Sequence, residues 1–152
     1  MKLTAHFALA EFTRSESAKR HGVSNEPTPE HLQNLIVLCE KVLEPIRMKF
    51  GPINISSGYR SKTLNHYIGG SLNSQHCEAK AADIDMDGMD CASNTEIFNY
   101  IKDSLDFDQL IWEFGNNNKP DWVHVSYNGA KNRKQVLRAL KVNDKTAYAP
   151  YK

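Results

Sequence analysis

Apolar positions along this chain follow two periods, and the change between them separates helical from extended segments. Leu32, Leu35, Ile36, Cys39, Val42, Leu43 and Ile46 recur at the three-to-four spacing of a helix that buries one face. Thr28 ahead of Pro29 predicts its start, with a capping side chain followed by proline at the first helical position, and Gly51-Pro52 predicts its end. A shorter helical pattern over residues 7–21 closes near Gly22. Ser61 caps another short helix carrying Leu64, Tyr67 and Ile68, stopped by Gly69-Gly70. Ser93-Asn94-Thr95-Glu96 is a capping-box pattern ahead of Ile97, Phe98 and Ile101.

The second period is two. Ala82, Ile84 and Met86 alternate with Asp83, Asp85 and Asp87, which predicts a strand with one apolar and one acidic face. Residues 53–56 read as a strand leading into Ser57-Gly58-Tyr59-Arg60. Two later strands, residues 109–114 and 122–126, flank a polar loop over 115–120. Helices first and strands later predict an α+β domain: a small central antiparallel sheet with helices packed mainly on one side. No repeat, low-complexity tract or linker divides the chain, so all 152 residues are assigned to one domain.

Composition narrows the function classes. Hydrophobic residues at 40% and charged residues at 24% suit a globular chain, and a net charge of +1 provides no field for nucleic acid or an acidic membrane. The locally basic run of Lys131, Arg133, Lys134, Arg138 and Lys141 reads as a solvated helix face, with contact to an anionic polymer as the alternative. No apolar run reaches the ~20 residues of a membrane span. The N-terminus, interrupted by His6 and Glu11, lacks the continuous apolar stretch of a signal peptide. It is read as mature protein made in the cytoplasm, so a substrate outside the inner membrane requires another delivery route. Cys39, Cys77 and Cys91 form neither an even framework nor a CxxC pair, and are read as free thiols.

Candidate chemistry lies in three places. His76 precedes Asp83 by seven positions; His124 sits on a strand with Asp121 three residues before it; Arg60 follows Ser57-Gly58-Tyr59. Two neutral imidazoles and one carboxylate suit Zn²⁺ and leave a fourth position for water. Asp83 lies on the acidic face of its strand, and Val123 and Val125 turn His124 to the opposite face, so neighbouring strands can present two ligands together. Asp85 shares a face with Asp83 and is the alternative carboxylate. Residues 83–88 also match the first half of a calcium loop, but Asn94 stands at the twelfth position where a bidentate Glu belongs.

Read together, Ser57-Gly58-Tyr59-Arg60-Ser61, Leu64-Asn65, Gly69-Gly70-Ser71, Ser74-Gln75-His76, Ala81-Ala82-Asp83-Ile84 and Trp122-Val123-His124-Val125-Ser126 resemble the M15 family of zinc D-Ala-D-Ala peptidases, its phage-type and short bacterial members above all. The resemblance implies a hedgehog/D-Ala-D-Ala peptidase-like fold, one zinc ion, and hydrolysis of D-amino-acid-containing bonds in peptidoglycan peptides by a monomer. It assigns His76, Asp83 and His124 as zinc ligands, Asp121 as catalytic base, Arg60 to substrate orientation and charge stabilisation, and Ser74 to the substrate pocket. Glu113 is a second candidate base, read first as a support or cleft residue. Ala79 stands where relatives commonly have Gly, so a positive φ there would carry strain. The reading from a different class is a zinc-stabilised module that binds wall peptide or a protein partner without cutting it.

Overall fold

A computed structural model describes residues 1–152. Six short helices precede or interrupt one six-stranded sheet. In chain order they are α1 (Ala10–Thr13), α2 (Glu16–His21), α3 (Pro29–Leu38), a π turn (Cys39–Leu43), α4 (Glu44–Phe50), β1 (Ile55–Ser57), α5 (Lys62–Tyr67), β2 (Ala81–Ile84), α6 (Asn94–Ser104), β3 (Gln109–Glu113), β4 (Trp122–Ser126), β5 (Gln135–Val142) and β6 (Lys145–Pro150). The α+β class expected from the sequence is the one observed.

Local signals explain most helix boundaries. Thr28 and Ser93 each accept the backbone N–H three residues on and form reciprocal capping boxes, while Ser15 and Ser61 cap α2 and α5 through their hydroxyls. The long apolar stripe is helical throughout, with a π turn in its middle. There the Glu44 N–H bonds to the Cys39 carbonyl, one residue further back than in an α-helix. Pro45 follows at once; it has no N–H and would crowd the carbonyl four residues back. The widened turn accommodates that defect without breaking the buried stripe of Leu35, Leu38, Val42, Leu43 and Ile46.

The strand order is β1-β2-β4-β3-β5-β6. Neighbours are antiparallel except β3 and β5, which run parallel from Gln109↔Gln135 to Glu113↔Ala139, so the sheet is mixed rather than antiparallel. The basic run expected as a helix face is the cause. Residues 135–142 add as a strand to the open edge of β3, and that pairing overrides their local helix preference. Asn143 and Asp144, both with positive φ, then make the two-residue hairpin turn into β6.

The two faces of the sheet have different fates. Ala82, Ile84, Leu110, Trp112, Val123 and Val125 pack with the α3–α4 stripe and with Ile97, Phe98 and Ile101 of α6 in a single core of 24 buried residues. The opposite face carries Asp83, Ile111, Glu113 and His124 into an open cleft. Strand alternation thus separates core from chemistry. No helix is long and apolar enough to cross a membrane.

Candidate metal centre

Asp83 and His124 are register partners on β2 and β4, and this pairing brings their side chains together on the cleft face. The His124 Nδ1 lies 3.0 Å from Asp83 Oδ1, and the His76 Nε2 lies 3.4 Å from the same oxygen. One ligand atom from each of the three residues lies within 4.8 Å of the other two. Asp85 lies past the end of β2, where its Oδ1 accepts the Asp87 N–H, and takes no part in the group.

His76 comes from the loop before β2 and is held from several sides. Its backbone N–H donates to Ser74 Oγ at 3.2 Å, and its carbonyl accepts N–H groups from Arg60 and Ala79, each at 3.2 Å. Ala79 has φ of 60°, the left-handed conformation anticipated for this position, and is fully buried. The imidazole Nδ1 donates to the Gly58 carbonyl at 2.6 Å, which fixes the tautomer and leaves Nε2 as a free donor of electrons. A Cβ at Gly58 would lie 2.7 Å from the backbone and side chain of Phe12, so only glycine lets this carbonyl approach.

Burial alone would raise the Asp83 pKa; the electrostatic influence of the His76 ring and the hydrogen bond from His124 outweigh it and hold the carboxyl well below its usual range. Two imidazole nitrogens and one ionised carboxylate oxygen are a donor set that fits a divalent transition metal, with a coordination position left for water or substrate.

Glu113 shares the cleft face and is 7% exposed. Burial pushes its carboxyl up to about 7; the neighbouring His124 lowers it and the Asp83 charge raises it further. Asp121, expected as the base, is placed elsewhere. Trp122 and His124 line the cleft, whereas Asp121, in the bend just before β4, is exposed and is not among the residues lining it. Its N–H donates to the Glu113 carbonyl and its own carbonyl accepts from Asn94, which ties it to the start of α6. The carboxyl beside the metal group is therefore Glu113.

Arg60 and Ser74 do line the cleft, as expected. Arg60 keeps a buried Nε without a hydrogen-bond partner. The cleft measures about 970 Å³, and its far wall is built by Arg133, Gln135, Leu137, Thr146 and Tyr148, none of which the sequence reading singled out for the site. Their one visible signal was the Asn143-Asp144 turn, which would have replaced the expected basic helix by a hairpin. All three cysteines are free; Cys39 is buried in the core, and burial pushes its thiol up to about 12.

Two imidazoles and an aspartate at the floor of an open cleft, with a buried glutamate beside them, form a group able to hold a metal ion in a substrate-sized pocket. The chain matches the family model of Peptidase M15 over residues 5–126 and belongs to that family: it is a peptidase. Comparison with curated proteins found no match.

Proposed function

We propose that this chain is a zinc peptidase that hydrolyses D-amino-acid-containing peptide bonds of bacterial peptidoglycan, acting as a monomer on the cell wall. The carrying observation is the convergence of His76, Asp83 and His124 beside the buried Glu113. The substrate class rests on the ordered likeness of residues 57–84 and 122–126 to D-Ala-D-Ala peptidases, and a hedgehog/D-Ala-D-Ala peptidase-like scaffold belongs to the same proposal.

His76 Nε2, Asp83 Oδ1 and His124 Nδ1 are the atoms that would hold the ion. Bound zinc supplies Lewis acidity, polarising a peptide carbonyl and letting water lose a proton near neutrality. Glu113, buried on the cleft face near His124 and Asp83, is the carboxyl placed to take up a proton from the attacking water and return it to the departing amine. Arg60, with donors unspent, steadies a carboxylate or the developing oxyanion. Ser74 holds the His76 backbone and faces the substrate.

The test is mass spectrometry of purified peptidoglycan digested with and without a chelator, in parallel with metal analysis of variants. Glu113→Gln is expected to lower turnover by about 10²–10⁴-fold with zinc retained, the usual share of a general base. Asp121→Ala is expected to keep turnover, and His124→Ala to lose both metal and turnover. Full activity in Glu113→Gln defeats the role given to that residue. Peptide binding with no mass change in any digest defeats the peptidase reading in favour of a binding module.

A further inference from the structure

Arg133 stands on the cleft wall, in the turn between β4 and β5 and beyond the residues matched to the family. Its guanidinium is fixed along one edge. Nε donates to Asp108 Oδ1 at 2.9 Å and Nη2 to Asp108 Oδ2 at 2.8 Å, while the Arg133 backbone N–H donates to Oδ1 at 3.0 Å. Asp108 is fully buried, and Gln75, the neighbour of His76 in the chain, donates to its Oδ2 at 2.8 Å. The carboxylate that anchors Arg133 is therefore tied to the loop that carries a metal ligand.

The anchoring leaves capacity unspent. A guanidinium has five N–H donors. The Asp108 contact uses Nε–H and one Nη2 hydrogen, so both Nη1 hydrogens and the second Nη2 hydrogen remain as an end-on fork. The Arg133 side chain is 55% exposed although its partner is buried, so the free fork meets solvent in the cleft. An arginine held this way has already lost its rotamer freedom, and a second carboxylate meets it without that cost. Gln109 and Gln135 lie nearby on the same wall and bond to one another at 2.7 Å, so no acid there competes for the fork.

We propose that Arg133 is a specificity residue: its end-on fork receives a carboxylate of the peptide substrate away from the scissile bond, separate from the group steadied by Arg60. This rests on the peptidase reading above and names the acidic class of peptide that the cleft prefers.

Two synthetic peptides test it: L-Ala-γ-D-Glu-L-Lys-D-Ala-D-Ala with the α-carboxyl of its D-Glu free, and the same peptide with a carboxamide there. Calorimetry on the zinc-loaded full chain carrying Glu113→Gln measures binding without turnover. The free acid is expected to bind about 10- to 100-fold more tightly, the range for a hydrogen bond to a charged group. Adding Arg133→Gln should bring the acid-to-amide ratio close to unity. Adding Arg133→Lys, which keeps an ion pair with Asp108 and removes the fork, should remove most of it; this variant carries the test if the glutamine protein fails to fold. Lys131→Gln, the same charge change on an exposed neighbour, should leave the ratio intact. The proposal is overturned if the ratio survives in both Arg133 variants, if Lys131→Gln lowers it equally, or if the parent binds the two peptides equally or not at all. A strong acid preference in a wild-type protein that cuts neither peptide upholds Arg133 and overturns the peptidase reading instead.

Discussion

Glu113 and Asp121 are adjacent through a backbone hydrogen bond yet sit in opposite settings, one buried at the cleft floor and the other in solvent. The difference has a pH signature. In the metal-free protein the folded Glu113 carboxyl holds its proton more tightly than the unfolded one. Its contribution to stability is thus fully present below the ordinary 4.5 and is lost as pH rises through about 7. Chelated wild type should therefore lose stability relative to Glu113→Gln across that window, by at most about 3.5 kcal/mol at ~1.4 kcal/mol per pKa unit. Urea unfolding of both proteins at about pH 5 and about pH 8 measures it; a stability difference that does not change with pH would remove the buried-carboxyl account. The Asp121 expectation came from the resemblance to M15 peptidases, which places a catalytic acid three residues before the last ligand. Asp121 lies just before β4 begins, where strand alternation no longer dictates its side, and its exposure is set by the turn that leads into the strand. That Glu113 shares the cleft face with His124 depends on how β3 pairs with β4, where Glu113 lies opposite Trp122 and Ile111 opposite His124, and this lies beyond what either segment shows by itself.

At the scale of elements, the metal group depends on contacts between segments that carry no ligand. The Gly58 carbonyl orients His76 only because Gly58 lies against Phe12 of α1. Gly58→Ala should push these two segments apart, misdirect the imidazole, and weaken zinc binding by about 10- to 100-fold, as loss of an outer partner of a metal ligand does. Competition with a chromogenic chelator reads this directly; unchanged affinity would show that His76 needs no such support. Elements whose signals are local were legible in the chain: the capping boxes at Thr28 and Ser93, the apolar stripe, and the alternation that carries Asp83. The β5–β6 hairpin was not, because its residues are amphipathic enough for a helix and become strand only against the free edge of β3. With the hairpin went the far wall of the cleft, including Arg133 and Tyr148.

For the whole molecule, a ligand that binds only the folded state adds stability by mass action. Zinc at about 100 times its dissociation constant should add about 2.7 kcal/mol. Calorimetric melts should rise with zinc in wild type and Glu113→Gln and stay flat in His124→Ala. An equal rise in all three would mean that zinc binds somewhere other than this group.

Asp83 and His124 face each other across one rung of the ladder. Sliding β2 against β4 by a single residue would turn either side chain toward the oily side of the sheet and leave the other without its mate. Metal uptake is therefore open only to molecules whose strands are correctly aligned. A count of zinc atoms per chain after refolding doubles as a census of properly threaded molecules, and a growth medium poor in zinc would remove that incentive for alignment.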